Sequence, residues 1–218
     1  MRDQHAPAMQ RESPARREFV DAFVEIAGRI SASLEKLPRK ALPIQMYVAG
    51  GAALHFYTGE RVSQDVDAAF SKRIALPDNL DVAYRDADGA ARLLYLDRQY
   101  NDTLALIHED AYSDSRQLEL PGLDPEILDV RLLTPTDLAV SKIGRLTSQD
   151  RDDIAALARH GLVRSAPLRR RAEEAVDYFV GDTARLRGNI EAACRVVADV
   201  EARSPALPAP PLVGKISG

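Results

Sequence analysis

The chain has 218 residues, 45% hydrophobic and 28% charged, with 29 Lys and Arg against 33 Asp and Glu for a formal net charge of −4. This composition suits a soluble globular protein with one good-sized core, or a core domain with a helical appendage; it excludes a global basic field, so a nucleic-acid partner must meet a local patch. The single cysteine, Cys194, cannot form an internal disulfide, no apolar run approaches the roughly 20 residues of a membrane span, and charge and hydrophobicity at the start do not follow signal-peptide order; the expected setting is a reduced cytoplasm with no membrane partner.

Residues 1–15 mix charge, Gln and Pro and are expected to form a disordered lead-in. Beyond them Phe19, Phe23, Ile26, Ile30 and Leu34 recur at helical spacing, which predicts an amphipathic helix closed by Pro38 and Pro43. Ile44 to Val48 reads as a short strand that delivers Gly50-Gly51, Ala52 to Tyr57 as a short helix starting at the glycines, and Val66 to Phe70 as a second strand. Leu80 to Arg85, Ala91 to Leu96, Thr103 to Ile107 and Ile127 to Leu133 are further strands, expected to form one mixed sheet. Thr134, Pro135 and Asp137 then open a helix with a capping box, and its apolar face continues through Leu138, Ile143, Leu146, Ile154 and Leu157. Further helices are predicted from Ala166 to Val180 and from Asp182 to Ala202, and the Pro-rich residues 204–218 read as a flexible tail.

The chemistry concentrates between Met46 and Phe70. Asp65 and Asp67 stand two apart, and on a strand that spacing puts both carboxylates on one face. Like charges so close repel unless a cation lies between them, and a carboxylate pair suits Mg²⁺. A glycine turn opening a helix offers bare backbone N–H groups to phosphate. The segment therefore reads as a place for a metal and a triphosphate. Further on, Lys142, Arg145, Asp150 and Asp153 are spaced so that a continuous helix pairs the first two and the last two. Lys142 follows the apolar run Leu138 to Val140, so it leaves a buried surface towards the sheet. His55 reads as packing, and His108, Glu109 and Asp110 as a structural loop. Arg164, Arg169, Arg170 and Arg171 make the one local basic patch, and no aromatic row suits base stacking.

The order strand, Gly50-Gly51, short helix, then Asp65-x-Asp67 on the next strand resembles the nucleotidyltransferase superfamily built on the DNA polymerase β-like palm. GGAALHFYTGERVSQDVDAAF followed by LLTPTDLAVSKIGRLTSQDRDDIAAL resembles the DUF6036 group of bacterial nucleotidyltransferase-like proteins, distantly similar to the AbiEii/MenT toxins. The resemblance implies an α+β fold: a palm over residues 16–133 including the N-terminal helix, and a helical region over 134–203. It implies that Gly50 and Gly51 hold nucleotide phosphates, that Arg61 or Ser63 lines the same pocket, and that Asp65 and Asp67 hold Mg²⁺, with Mn²⁺ as its alternative. It implies a third carboxylate, for which Asp129 is the first choice and Asp97 the second, and it places Lys142 and Asp150 at the nucleotide. The implied activity is metal-dependent transfer of a nucleotidyl group from an NTP to an RNA or protein hydroxyl, in a toxin with an antitoxin partner or outside such a pair. The competing expectation is a binding or regulatory protein that kept the fold and lost the chemistry.

Overall fold

The structure is a computed structural model that describes residues 13–101 and 105–203. It is α+β. The predicted tail over 204–218, most of the lead-in and the start of the strand expected at 103–107 lie outside the described residues; residues 105–107 form no strand.

The first helix, α1 (Arg17–Leu34), buries Phe19, Phe23, Ile26, Ile30 and Leu34 along one face, as the 3.6-residue period requires. It packs against strands β4 (Asp81–Arg85) and β5 (Ala91–Leu96) and against β7 (Leu128–Leu132). Strand β1 (Ile44–Val48) alternates buried and half-buried residues and runs into α2 (Gly50–Thr58). Phe19 and Phe23 of α1 meet Phe56 of α2 edge to face, with ring centroids 5.7 and 5.1 Å apart, a favoured aromatic geometry. His55 lies under Phe19 with centroids 4.6 Å apart, and its Nε2 accepts the Arg16 backbone N–H at 3.0 Å. It is fully buried and desolvation lowers its pKa, so it serves α1 as a neutral packing and capping residue. Of the expected lead-in, Ser13 donates to the Phe56 carbonyl at 2.9 Å and is held against α2.

The expected single sheet is two sheets. One has the order β3-β1-β7-β6, with β3 (Ala68–Phe70) antiparallel to β1, β7 parallel to β1, and β6 (Arg116–Gln117) antiparallel to β7. The other has the order β2-β5-β4, with β2 (Asp65–Val66) parallel to β5. The predicted strand over 66–70 is thus divided: the chain leaves one sheet at Val66 and joins the other at Ala68, and Asp67 falls on the crossing. Alternation along one strand does not relate the two aspartates; the junction of two sheets does.

The predicted long helix after Leu133 is also divided. α3 (Pro135–Ile143) starts on Thr134, whose hydroxyl accepts from the Asp137 N–H. Leu146 then adopts φ 46°, a conformation uncommon outside glycine, and Thr147 and Asp150 form a full capping box that starts α4 (Ser148–Arg159). α5 (Ser165–Ala175) and α6 (Thr183–Arg203) complete the helical layer, with α6 against α4 and α5. No helix among the described residues is long and apolar enough to cross a membrane. Phe19 fills the centre of the α1–α2 contact, so Phe19→Ala is expected to destabilise the fold by about 3–5 kcal/mol, measured by urea unfolding.

Candidate functional site

The start of α2 is built by close approach. Gly50 has φ 58°, and a Cβ there would stand 1.8 Å from Asp67 Oδ2. A Cβ at Gly51 would stand 2.5 Å from Ser63 Oγ and 2.6 Å from Arg61 Nη2. Only glycines let a carboxylate, a hydroxyl and a guanidinium lie directly on the helix start. The first backbone N–H groups of the helix have no intrahelical acceptor. The Ser63 hydroxyl donates in turn to Asp65 Oδ1.

The second wall comes from the helices. Lys142 on α3 is 4% exposed, and its Nζ donates to Asp153 Oδ2 on α4 at 2.7 Å. Arg61 Nη2 reaches the same oxygen at 3.2 Å, and Gln149 donates to Asp153 Oδ1 at 3.2 Å. One buried carboxylate thus fixes two cations beside Gly51. Arg61 Nε is buried and has no hydrogen-bond acceptor, which is rare for a buried donor.

Burial, followed by the charges of Asp65 and Asp97, pushes the Asp67 carboxyl up to about 6, while Lys142 and Arg145 pull it down. Three acids and a lysine therefore share one field. Asp97 is brought in because its backbone N–H bonds the Val66 carbonyl at 3.0 Å, which sets the end of β5 beside the sheet crossing. Among the described residues no group of three His, Cys, Asp or Glu stands close enough to hold a metal ion. The carboxylates that could share one are Asp65 and Asp67.

The structure sets two of the expected site residues apart. Asp129 pairs with Gln45 in the parallel register, whereas Asp67 pairs with Ala49. Four residues of strand separate those rungs, about 13 Å. Asp129 is held by Arg131 Nη1 at 3.0 Å, and its Oδ1 is buried without a partner. Asp150 is committed to the α4 capping box and to Arg145 at 3.0 Å, and these bonds lower its pKa against the cost of burial. Sequence spacing on an unbroken helix paired Lys142 with Arg145 and Asp150 with Asp153; the break at Leu146 pairs Lys142 with Asp153 and Arg145 with Asp150. The signal for Asp153 was present, since Thr147-x-x-Asp150 before an apolar run marks a new helix start, and the next acid one turn on must then face α3.

The other polar clusters have local partners. His108 accepts the Asp110 N–H at 3.0 Å and stands 3.4 Å from Glu174. In the expected basic patch Arg164 lies 3.8 Å from Glu201, Arg169 is bound to Glu191, and Arg171 bridges Asp114 and Asp137, each at 2.7 Å. That patch is largely neutralised.

The sequence model of a family described as nucleotidyltransferase of unknown function (DUF6036) matches residues 28–191. No curated protein and no solved structure matches the chain.

Two outcomes test the electrostatics. Asp153→Ala leaves Lys142 charged and buried without a partner and is expected to cost about 3–5 kcal/mol, whereas Lys142→Met with Asp153→Leu recovers most of it in the same unfolding assay. Asp67 binds its proton more tightly folded than unfolded, so its ionised form opposes folding above pH 6. Asp67→Asn is therefore expected to raise stability at pH 8 by about 1–3 kcal/mol, and the gain is expected to vanish below about pH 4.

Proposed function

We take as premise that the chain belongs to the DUF6036 family, a nucleotidyltransferase-like family, and we propose that it transfers a nucleotidyl group from an NTP to a hydroxyl group of a macromolecular acceptor. The observation that carries this reading is the buried Arg61 Nε–H without an acceptor, on a guanidinium whose Nη2 lies against Gly51 at the start of α2, next to the glycine that Asp67 approaches. A phosphate oxygen supplies the missing acceptor, and the free N–H groups of α2 bind the same anion. Lys142 adds a second cation, and Asp153 keeps both cations aimed without neutralising them fully, since two positive charges share one negative.

The donor set fits Mg²⁺, or Mn²⁺. Mg²⁺ is commonly held by one or two carboxylates plus substrate phosphates and keeps several waters, and Asp65 and Asp67 are two such acids, the pKa of Asp67 being raised first by burial and then by the charge of Asp65. When bound, the ion polarises phosphate oxygens and lowers the cost of charge developing on them. The acceptor hydroxyl oxygen forms a bond to the α-phosphorus of the NTP, the bond from that phosphorus to the α,β-bridging oxygen breaks, and pyrophosphate leaves. Arg61, Lys142 and the α2 N–H groups hold the departing phosphates. Asp97, at the end of β5, takes the hydroxyl proton in preference to Asp129, which the register sets about 13 Å away along the strands.

A second reading is a nucleotide-binding protein without catalysis. It is favoured by the lack of three metal-holding side chains among the described residues.

Calorimetric titration of each NTP, with and without Mg²⁺, tests the first half. Binding in the micromolar range that weakens at least tenfold on chelation, or in the Asp65→Ala, Asp67→Ala double variant, is expected; no binding in the wild type sinks the reading. Incubation with α-labelled NTPs and total RNA or cell protein separates enzyme from binder, because a binder transfers no label.

A further inference from the structure

We propose that the groove between β3 and the end of β5 is the acceptor site, and that its acceptor is a single polynucleotide strand held by its phosphodiesters. This rests on the reading of Asp65 and Asp67 as the reacting centre.

The groove has a volume of about 390 Å³ and is lined along one wall by Ala68, Phe70 and Leu96. That size suits a ligand fragment such as a nucleotide. Asp97 lines it too, and the Asp97 N–H bonds the Val66 carbonyl at 3.0 Å, so the groove adjoins the segment that carries Asp65 and Asp67. None of the phosphate-cradle residues, Gly50, Gly51, Arg61, Ser63 or Lys142, lines it. The acids are thus flanked by two different walls: one fitted to the triphosphate, and a second one available to whatever receives the nucleotidyl group.

The second wall carries Lys72, Arg73 and Arg98, all exposed. Lys72 Nζ donates to the Ala41 carbonyl at 2.6 Å, and Arg98 Nη2 donates to the Pro77 carbonyl. Carbonyls position these heads without cancelling their charge, and none of the three cations makes an ion pair among the described residues. The Ala41 contact also brings in Arg39 and Lys40, which are exposed on the same short 3-10 turn and likewise lack ion pairs there. Three cations without an ion pair among the described residues therefore line the groove with Asp97, and Arg39 and Lys40 stand on the turn that anchors Lys72, on a chain whose net charge is −4. In the patch the sequence singled out, Arg169 and Arg171 are tied up in carboxylates instead. A group of cations sharing a groove with Asp97 matches a strand in which every repeat carries one negative charge and the terminus carries the hydroxyl. An apolar lining beside it matches the faces of unstacked bases.

The test is fluorescence anisotropy of the full chain with end-labelled twelve-nucleotide RNA and DNA strands and with a Glu-rich dodecapeptide, over a range of salt, without NTP or metal. Strand binding is expected to weaken with salt, and the Lys72→Ala, Arg73→Ala, Arg98→Ala triple variant is expected to lose at least tenfold in affinity at low salt. At about 0.7 per neutralised phosphate on single strands, its salt slope falls by about 2. The Arg170→Ala, Arg185→Ala, Arg187→Ala triple variant, equal in charge, is expected to bind like the wild type. Arg73→Glu, which removes a side chain with no hydrogen bond among the described residues, gives the same loss if the larger variant fails to fold. Equal binding of RNA and DNA supports readout of the phosphates alone, and tighter RNA binding supports added contacts to the 2′-hydroxyls. No strand binding in the wild type, equal losses in the two triple variants, or equally tight binding of the acidic peptide overturns the proposal. If NTP binding by calorimetry survives while strand binding is absent, this inference alone fails. If strands bind and no label is transferred, the groove stands and the nucleotidyl-transfer reading fails.

Discussion

A carboxylate stands where any side chain at position 50 would have to go. The approach of Asp67 to the first residue of α2 is tighter than van der Waals contact would allow to a Cβ, and the neighbouring geometry follows from it. β1 must end with its last residue paired to Ala68, so that Ala49 bonds the Asp67 carbonyl. The chain must change sheets at Asp67 to bring that carbonyl to β1 while Val66 stays paired with β5. The helix must then begin on glycine. Burial, helix start and sheet crossing thus converge on one side chain, whose ionisation the fold opposes rather than favours.

The helical layer answers that negative charge. Lys142 and Asp153 form a buried pair, and the half-exposed Arg61 joins it to give a triad with one net positive charge, contributed by α3, α4 and the segment after α2. Desolvating such a group costs more than its attraction returns unless its remaining bonds are filled, and Gln149 fills one. The triad therefore does little for stability by itself. It links the helices after β7 to the start of α2, so the arrangement of this wall depends on residues nearly a hundred positions apart in the chain.

Much of this was legible in the sequence where one period or one motif acts alone. Period 3.6 in Phe19, Phe23, Ile26 and Ile30 located α1, and the paired glycines and Asp-x-Asp pointed to the close approach of Asp67 to Gly50. What escaped was decided by tertiary contacts. The strand over 66–70 reads as continuous because nothing local tells that its halves bond to different partners. Asp129 alternates correctly on β7, but only the register with β1 reveals that it sits far down the strand from Ala49. Asp97 looked secondary because its proximity to Asp67 comes from a single backbone bond to Val66. The break between α3 and α4 was written in Thr147 and Asp150, yet the apolar face runs on across it and conceals it.

The far end of α2 has its own fastening. Ser13 bonds the Phe56 carbonyl, Arg16 bonds His55, and Pro14 lies where a side chain on Gly59 would fall. The clamp grips α2 at His55, Phe56 and the Gly59 cap, five, six and nine residues beyond Gly50, about 8–14 Å along a rigid rod. The rod carries that fastening towards Gly50, so residues before α1 share in setting where the helix start stands against Asp67.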